Sequence, residues 1–505
     1  MRRSSRTVER EREGRMSKQR LVIIGNGMAG ARFVEELLAQ GGGALFEIAV
    51  FGDEPYGNYN RILLSNVLAG TYDAQDIFIN PPDWYRENGV RLHLGVRALE
   101  IDRQAKRVIG EGGCAEAYDK LVIATGSRPV IPPIEGLSKD GVFVFRTLDD
   151  CRRIAKEAKH AQRAAIIGGG LLGLEAAYGL LKLGLETHVV HLMSHLMEAQ
   201  LDATGGAILK RELERMGLKI HLRKRTIATL GQDRVTGLVF DDGATLDCDM
   251  VIVCAGTRPN VELAQKAGLA VERGIVIGDD LASPDDPDIY AIGECAEHNG
   301  QTYGTVAPLW DQARILAERL ARRNPAARYT GSRVSTRLKV AGIELTVMGA
   351  KDPQRPNDEV VVYSDPSRAV YKKLIIRNGR LIGAILLGDG MTIPTLLQAF
   401  DRRARLPENP AEIMFSFAWS NIPKASETQR ICHCNGVSRA KIVAAIRSGH
   451  CTVDAVAKAT RAGTGCGSCR TEIHAILEAH LRETGGALAA AERVGQLRAA
   501  YDAAS

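Results

Sequence analysis

Short apolar runs and glycine-rich turns alternate along the first half of the chain. Leu21–Ile24 is apolar and leads directly into Gly25-Asn26-Gly27-Met28-Ala29-Gly30, which is followed by an amphipathic stretch, Ala31–Ala39, and a second apolar run, Glu47–Phe51. This order predicts a strand, a helix and a parallel strand joined by a right-handed connection. The same order recurs over residues 164–190. Two similar units indicate a duplicated nucleotide-binding fold rather than a solenoid.

The second half of the chain has a different pattern. Residues 331–390 alternate between apolar and polar positions, which predicts strands of an α+β unit. Beyond a proline-containing stretch typical of a loop, Ser438 is placed to cap a helix through Ile446. Thr452 is placed to cap another helix through Thr460. A small helical unit is therefore expected near the end of the chain.

The first glycine-rich turn fits a dinucleotide fingerprint because a strand precedes it and a helix follows it. Gly25 permits the tight turn, Gly27 lets a pyrophosphate approach the backbone, and Gly30 permits close packing of helix on strand. Asp53 or Glu54, just past the second strand, is placed to bind a ribose hydroxyl. The alternative is a tight turn without a ligand, which is the less favoured interpretation because strand, helix and acid occur together here.

Gly168, Gly170 and Gly173 repeat the fingerprint in the second unit. Its second strand ends at His191, where NADH-selective sites usually carry an acid, and no arginine pair follows to bind a 2′-phosphate. The choice between NADH and NADPH stays open, with NADH slightly favoured. His191 either contacts the ribose or simply ends the strand. Glu175 either orients the nicotinamide, as a catalytic residue, or is an acid favoured by the helix dipole.

The charge of the chain is concentrated at its start. Residues 1–20 carry eight basic and three acidic side chains, which accounts for +5 of the formal net charge of +6. No basic face is evident elsewhere, so nucleic-acid binding is not expected. No apolar run reaches about 18 residues, so no membrane span is expected either. Six of the ten cysteines are scattered, which fits a reducing, cytoplasmic setting.

The other four cysteines form a C-x-C pair, Cys432 and Cys434, and a C-x-x-C pair, Cys466 and Cys469. Four thiolates at this spacing hold either a 2Fe–2S cluster or a zinc ion. Glycines around the second pair allow backbone N–H groups to turn toward sulfur, which favours a negatively charged cluster. Two nucleotide folds and a cluster together indicate hydride transfer from a nicotinamide to a flavin, followed by one-electron transfer.

Several segments resemble a known family. They are Ile24–Gly30, the segment from Glu54 to Ser65 with its Tyr-Gly-Asn-Tyr-Asn-Arg run, Ile167–Ala177, Gly293–His298 and Thr305–Leu309. They are similar to the flavoprotein half of the large subunit of NAD(P)H-dependent assimilatory nitrite reductase. The segment from Cys432 to Cys469 resembles the bacterioferritin-associated-ferredoxin-like (BFD-like) 2Fe–2S domain.

The resemblance implies an α/β fold with two Rossmann-like domains of the glutathione-reductase-like FAD/NAD(P) type, an α+β interface domain and a small helical 2Fe–2S domain. It implies FAD at the first fingerprint and NAD(P)H at the second. The residues it implies at the FAD are Arg61, Thr125, Gly126, Gly293 and Glu294, with the helix opening near Pro308 pointing at the flavin. Gly256, in the turn that closes the second unit, is a further cofactor-binding candidate.

The resemblance also has limits. No C-x-x-x-x-C pair of a disulfide reductase is found, and no cysteines follow Cys469 that would serve a sirohaem and 4Fe–4S half. The expectation is an NAD(P)H-oxidising electron-transfer component that serves a nitrate or nitrite reductase.

Two alternatives stay open. The first is a ferredoxin- or rubredoxin-type reductase, or an NADH oxidase, with another acceptor. The second is a non-catalytic redox sensor with a four-cysteine zinc site. A homo-oligomer is also left open.

The expected division of the chain follows from these assignments. It comprises a disordered basic arm (1–17), an FAD-binding domain in two pieces (18–145 and 262–330), an NAD(P)-binding domain (146–261), an α+β interface domain (331–422), a BFD-like 2Fe–2S domain (428–482) and a tail (483–505).

Overall fold

The computed structural model describes residues 18–483 except 341, 391, 416–426, 428, 466 and 468. The predicted basic arm, the predicted tail beyond Glu483, and Cys466 lie outside the described residues. Part of the predicted interface domain, 416–422, and most of the adjoining loop lie outside them as well.

The first unit begins with a strand that leads into the first glycine-rich turn. The helix after it starts at Met28 rather than at the expected Ala31, because the last residues of the glycine motif form its first turn. Strands of this part are β1 Gln19–Ile24, β2 Phe46–Gly52, β3 Asn58–Tyr59, β4 Phe78–Asn80, β5 Val90–Leu94, β6 Ala98–Asp102, β7 Arg107–Gly110, β8 Ala115–Ala117, β9 Lys120–Ile123 and β10 Ser127–Pro129; helices are α1 Met28–Ala39, α2 Leu64–Leu68 and α3 Pro82–Glu87.

The second unit repeats this arrangement in a five-stranded parallel sheet. Its glycine-rich turn again forms the first turn of the helix, which starts at Leu171. Strands here are β11 Val142–Val144, β12 Arg163–Ile167, β13 Glu186–His191, β14 Lys219–Leu222, β15 Thr226–Leu230, β16 Gly237–Phe240, β17 Thr245–Asp247 and β18 Met250–Val253; helices are α4 Leu148–Glu157, α5 Leu171–Lys182 and α6 Ala203–Arg215. The parallel sheet has the order β11-β18-β12-β13-β14.

One predicted boundary differs from the structure. Residues up to 145 were expected in the first unit, but β11 pairs in parallel with β18 of the second sheet. The amide of Val251 also donates to the carbonyl of Gly141 (2.8 Å), so the chain enters the second sheet at Gly141. An apolar three-residue strand has no sequence signal for which of two sheets it joins.

The chain then returns to the first sheet. β22 pairs in parallel with β9, giving the order β21-β22-β9-β1-β2-β5, so strands from both sides of the second unit complete this sheet. The elements of this part are β19 Thr257–Pro259, β20 Ile275–Ile277, β21 Ala282–Ser283, β22 Asp286–Ala291, β23 Ala296–His298, β24 Gln301–Thr302, α7 Glu262–Lys266 and α8 Val306–Leu320. Helix α8 packs against α1, which begins directly after the carboxyl end of β1.

An antiparallel sheet in the order β25-β26-β29-β28-β27 follows, with one helix packed on β29. This confirms the alternating pattern as strands of an α+β unit. Its elements are β25 Ser335–Val340, β26 Ile343–Gly349, β27 Glu359–Asp365, β28 Val370–Arg377, β29 Arg380–Leu387 and α9 Ile393–Asp401.

A small helical unit closes the described chain. Ser438 and Thr452 accept hydrogen bonds from the amides of Lys441 and Ala455, which confirms both predicted helix caps. Its core contains Cys432 and Cys469 together with aliphatic side chains. Its elements are β30 Arg430–Cys432, β31 Val437–Ser438, α10 Arg439–Arg447, α11 Val453–Thr460 and α12 Arg470–Glu483. In the described part of the chain, no helix is long and apolar enough to cross a membrane.

Candidate active site

One cavity of about 2790 Å³ reaches from both glycine-rich turns to the cysteine-containing unit. Most of the residues predicted from the sequence line it: Gly25, Gly27, Asp53, Glu54, Arg61, Thr125, Gly126, Gly168, Gly170, Glu175, His191, Gly256, Glu294, Cys434 and Cys469. Gly30, Gly173, Gly293, Pro308 and Cys432 are not among its lining residues. The cavity therefore joins sequence motifs that lie more than 400 positions apart.

The first glycine-rich turn has the geometry that a bound pyrophosphate needs. Gly25 has φ +111°, and a Cβ there would collide with the backbone of Ala124. A Cβ on Gly30 would collide with the carbonyl of Gly25, so this glycine brings helix α1 close to the turn. At Gly27, by contrast, an added Cβ would meet nothing within 4 Å. The outer glycines are required by packing, and the middle one faces open space where a phosphate fits.

The second glycine-rich turn repeats these relations. Gly168 has φ +123° and would collide with the backbone of Cys254 if it carried a Cβ, and Gly173 would collide with the carbonyl of Gly168. Gly170 again faces open space. Burial raises the pKa of the Cys254 thiol to about 12, so it stays protonated at neutral pH and is not a nucleophile here.

Asp53 and Glu54, the two acids that follow β2, have different surroundings. Glu54 forms an ion pair with Arg61 and accepts a hydrogen bond from the Tyr59 hydroxyl (2.7 Å). Arg61 also lies over the Tyr59 ring, 5.0 Å from its centroid, and donates to the carbonyl of Arg146. Asp53 is exposed at the cavity. Of the two acids predicted to bind the ribose, Asp53 is therefore the more available, whereas Glu54 holds Arg61 in place.

Glu294 sits in a second polar cluster on the cavity wall. It accepts hydrogen bonds from Ser127 and forms an ion pair with Arg146. The preceding residue, Gly293, has φ +90°, and its amide donates to the side chain of Gln312 on α8 (2.7 Å). Glu294 is thus a charged, partly buried group fixed from two sides.

The chain segments that follow β9 and β18 are joined to each other by hydrogen bonds. β10 and β19 form a two-stranded antiparallel ribbon. Thr125 and Asn260 exchange hydrogen bonds of 2.8 and 2.9 Å, and the amide of Val130 donates to the carbonyl of Gly256. Thr125, Gly126 and Gly256 therefore stand where the two units meet, facing the cavity between their glycine-rich turns.

Five buried polar atoms on the cavity wall have no hydrogen-bond partner among the described residues. They are Asn26 Nδ2, Arg146 Nε, Thr226 Oγ1, Thr305 Oγ1 and Thr346 Oγ1. Buried polar atoms of this kind are costly unless something else satisfies them. Thr305 immediately precedes α8, whose first turn contains Pro308 and has no side-chain cap. The donors and the open helix end fit a polar, anionic cofactor in this cavity.

Glu175 is buried at the second turn and accepts a hydrogen bond from Ser65 on α2 (3.1 Å). Both residues line the cavity. Glu175 is therefore a buried carboxylate that faces the cavity and contacts a helix of the first unit.

His191 is turned toward the second glycine-rich turn. Its Nδ1 accepts a hydrogen bond from the amide of Gly169 (3.0 Å), and its Nε2 lies 2.9 Å from a carboxylate oxygen of Glu198. These partners indicate the tautomer protonated at Nε2. His191 therefore supports the turn, and its partner Glu198 places a carboxylate on the cavity wall beside the second turn.

Three of the four predicted cluster ligands are described. Cys432 and Cys434 have their sulfurs 3.6 Å apart, and Cys432 also interacts with the Cys469 thiol. A Cβ on Gly465 would collide with the Cys434 sulfur, so this glycine leaves room around it. Cys466 lies outside the described residues, and within the described part no complete group of three metal-ligating side chains is found. The thiol donor set with glycine at the sulfur fits an iron–sulfur cluster.

Sequence reasoning missed several residues of this site. Asn26, Tyr59 and Ser65 stood inside quoted segments without a role, whereas Arg146 and Glu198 stood in no motif. Their partners are distant in the chain: Arg146 and Glu294 are separated by 148 positions. Such pairs carry no local sequence signal.

Comparison with known proteins agrees with this geometry. The profile of the pyridine nucleotide-disulphide oxidoreductase family matches residues 19–314. The profile of the BFD-like [2Fe-2S] binding domain matches residues 430–479, and that of the rubredoxin NAD+ reductase C-terminal domain matches residues 335–404. The chain belongs to the pyridine nucleotide-disulphide oxidoreductase family. Its cofactors are FAD and NAD(P)H, and its cysteine module is of the 2Fe–2S type, which rules against the zinc alternative.

Individual relatives show which members of the pyridine nucleotide-disulphide oxidoreductase family this chain is similar to. Two proteins of Bacillus subtilis (strain 168) are each 41% identical to this chain over 92% of its length: a nitrite reductase [NAD(P)H], of which the match covers 58%, and an assimilatory nitrate reductase electron transfer subunit, of which it covers 60%. The chain thus spans about three fifths of the length of these relatives. The crystal structure of the ferredoxin reductase for the CYP199A2 system from Rhodopseudomonas palustris is 28% identical with a TM-score of 0.68, covering 77% of this chain and 98% of that one.

Proposed function

We propose that this chain oxidises NAD(P)H and passes the electrons, by way of FAD and a 2Fe–2S cluster, to a nitrate or nitrite reductase. The observation that carries the proposal is the single cavity lined by both glycine-rich turns and by Cys434 and Cys469. The names of the relatives support the class of acceptor.

Different residues of the cavity bind different parts of the two cofactors. The turn at Gly27 binds the FAD pyrophosphate, Arg61 and Glu294 hold the rest of that cofactor, and the turn at Gly170 binds the dinucleotide of NAD(P)H. When bound, the flavin accepts a hydride as two electrons, and the cluster carries one electron at a time. Glu175 orients the nicotinamide, and the ribbon of β10 and β19 keeps the two units in register so that water is excluded between them.

The same proposal includes the domain division, with the second unit starting at Gly141, and a cytoplasmic setting. The partner is an electron-accepting reductase, and the surface that it contacts belongs to the BFD-like module, since that is where single electrons leave.

The test is an assay of NADH and NADPH oxidation by the purified protein, run anaerobically with each reductase subunit and in parallel with oxygen as the acceptor. We expect flavin bands in the visible spectrum, bleaching on addition of the reduced nucleotide, and oxidation that is faster with a nitrate or nitrite reductase subunit than with oxygen. Absence of flavin from protein purified under mild conditions would overturn the proposal.

A second candidate has specific support. Residues 335–404 match the C-terminal domain of rubredoxin NAD+ reductase, so a small redox protein is the alternative acceptor. In the same assay, this function would give rapid reduction of rubredoxin or ferredoxin and no stimulation by the nitrogen-oxide reductases.

A further inference from the structure

The loop that carries the first cysteine pair is seated on the scaffold of the FAD unit. Trp310, on α8, is 5% exposed, and its indole Nε1 donates a hydrogen bond to the backbone carbonyl of Cys434 (3.2 Å). Gly436 has φ +62°, and a Cβ there would lie 2.9 Å from the indole ring. The peptide after Cys434 therefore lies directly against the indole.

Arg32 on α1 completes this contact from the other side. Its guanidinium lies over the Trp310 ring, 5.3 Å from the centroid, and donates to the carbonyl of Asn435 (3.4 Å). Glu36 pairs with it at 2.6 Å and fixes its direction. Two successive carbonyls of the cysteine loop thus accept hydrogen bonds from the FAD unit.

Arg461, at the end of α11, forms a second link between the same two units. It pairs with Glu35 on α1 (2.7 Å) and donates to the side chain of Asn80 (3.2 Å). The backbone carbonyl of Arg461 accepts a hydrogen bond from the buried side-chain amide of Asn435 (2.6 Å). The link therefore reaches back into the cysteine loop, and the contacts form one connected network.

The network includes side chains of the two helices that line the predicted FAD site. α1 and α8 are the helices whose first turns line the cavity at the predicted FAD, through Met28 and Ala29 on one and Val306, Ala307 and Leu309 on the other. A side chain on the next turn of α8 bonds the backbone of a predicted cluster ligand. The helices that surround the flavin site thus also fix the position of the module.

We propose that Trp310 is a positioning residue which, with Arg32 and Arg461, holds the 2Fe–2S module docked against the FAD unit, so that the module of the same chain is the first acceptor. This inference rests on the proposed function. Hydride from NAD(P)H brings two electrons to the flavin, and they leave singly to the module and on to the partner reductase. No covalent bond forms in those single steps, and the proton goes to water.

The experiment compares Trp310→Phe, which keeps an aromatic ring but loses the N–H donor, with the matched control Trp84→Phe at a tryptophan outside the cavity. Amide hydrogen exchange of residues 430–437 is measured in full-length protein, with and without cluster. Loss of one docking hydrogen bond should raise exchange there about fivefold to tenfold in Trp310→Phe and leave it unchanged in the control. Arg461→Gln should raise it in the same peptide.

Stopped-flow spectroscopy of the loaded protein supplies the second readout. Flavin bleaching by NADH should keep its rate in Trp310→Phe, while cluster reduction should slow by less than the factor seen in exchange. Exchange reports the rise of the small undocked fraction, whereas electron transfer reports the smaller relative loss of the docked fraction. Unchanged exchange together with unchanged cluster reduction would overturn the inference. Failure of NADH to bleach the flavin in the unaltered protein would instead overturn the proposed function, and the exchange measurement would still decide the docking.

Discussion

The two glycine-rich units have nearly the same backbone but different surroundings. In both, the amide of the first glycine donates to the strand beside it: Gly25 to Phe51 (2.8 Å) and Gly168 to Val190 (2.9 Å). The residue after each glycine is held differently. The carbonyl of Asn26 accepts a side-chain hydrogen bond from Asn58, whereas the amide of Gly169 is bound by His191. The fold is duplicated, and the cofactor chemistry comes from the neighbours of each turn.

The largest effect is expected from matched changes of the first glycines. Gly25→Ala forces a side chain into the backbone of Ala124 at φ +111°, and Gly168→Ala does the same at Cys254. A left-handed conformation alone costs about 1–3 kcal/mol, and the collision adds to it. We expect Gly25→Ala to lose FAD, and Gly168→Ala to keep the flavin spectrum but lose bleaching by NADH.

Gly27→Ala is the control for this pair, because an added Cβ there meets no protein atom within 4 Å. It should fold normally and bind FAD more weakly. Normal bleaching by NADH in Gly168→Ala would show that the second turn does not bind the dinucleotide.

The second-largest effect is expected at Glu175, the buried carboxylate between the two glycine-rich units. Glu175→Gln should slow flavin bleaching by NADH about tenfold to hundredfold, because a misplaced nicotinamide loses the aligned geometry that hydride transfer needs. Ser65→Ala, which removes one partner of Glu175, should have the same direction and a smaller size. Stopped-flow measurement separates this from a helix-dipole role, which would lower the melting temperature and leave the rate unchanged.

A smaller effect is expected in the pH dependence of the described C-terminal unit. Burial raises the pKa of Glu472 from its ordinary 4.5 to about 7, although its hydrogen bond from Gln398 (2.8 Å) acts against this. The folded state therefore binds more protons than the unfolded state between about pH 4.5 and 7. The unfolding free energy should fall as pH rises through that window. Denaturant melts of Glu472→Gln should show a weaker dependence there; an unaltered slope would contradict this.

The smallest effect is expected at the support of the second turn. His191→Leu removes the acceptor for the Gly169 amide, which is worth about 1 kcal/mol, or about fivefold in affinity. The KM for NADH should rise by that factor while FAD binding stays unchanged. Glu198→Gln tests the neighbouring acid, and should improve the use of NADPH relative to NADH, because a negative charge near the ribose disfavours a 2′-phosphate. An unchanged ratio would remove Glu198 from this role.

A site residue could be predicted from the sequence when its interaction partners lie close to it along the chain. Gly25, Gly27 and Gly30 could be recognised because strand, turn and helix are consecutive in the chain. The caps at Ser438 and Thr452 could be recognised for the same reason. Local patterns of this kind are set by backbone geometry within a few residues.

The rest depended on tertiary packing. Trp310 belongs to an apolar helix face, and only the fold brings its N–H to Cys434, 124 positions later. Arg146 has no motif, and Glu294 becomes its partner only when the chain returns to the first sheet. The short strand at Val142–Val144 joins the second sheet, but its three apolar residues carry no local signal for which sheet they enter.

The central claim is that pairs of electrons enter and single electrons leave within one chain. An anaerobic titration with NADH, followed by visible and EPR spectroscopy of the same samples, tests it most directly. We predict loss of the flavin bands together with an EPR signal of a reduced 2Fe–2S cluster, and loss of that signal but not of flavin bleaching in Cys434→Ser. A flavin that is fully reduced beside a cluster that never gives an EPR signal, even with dithionite, would contradict the account.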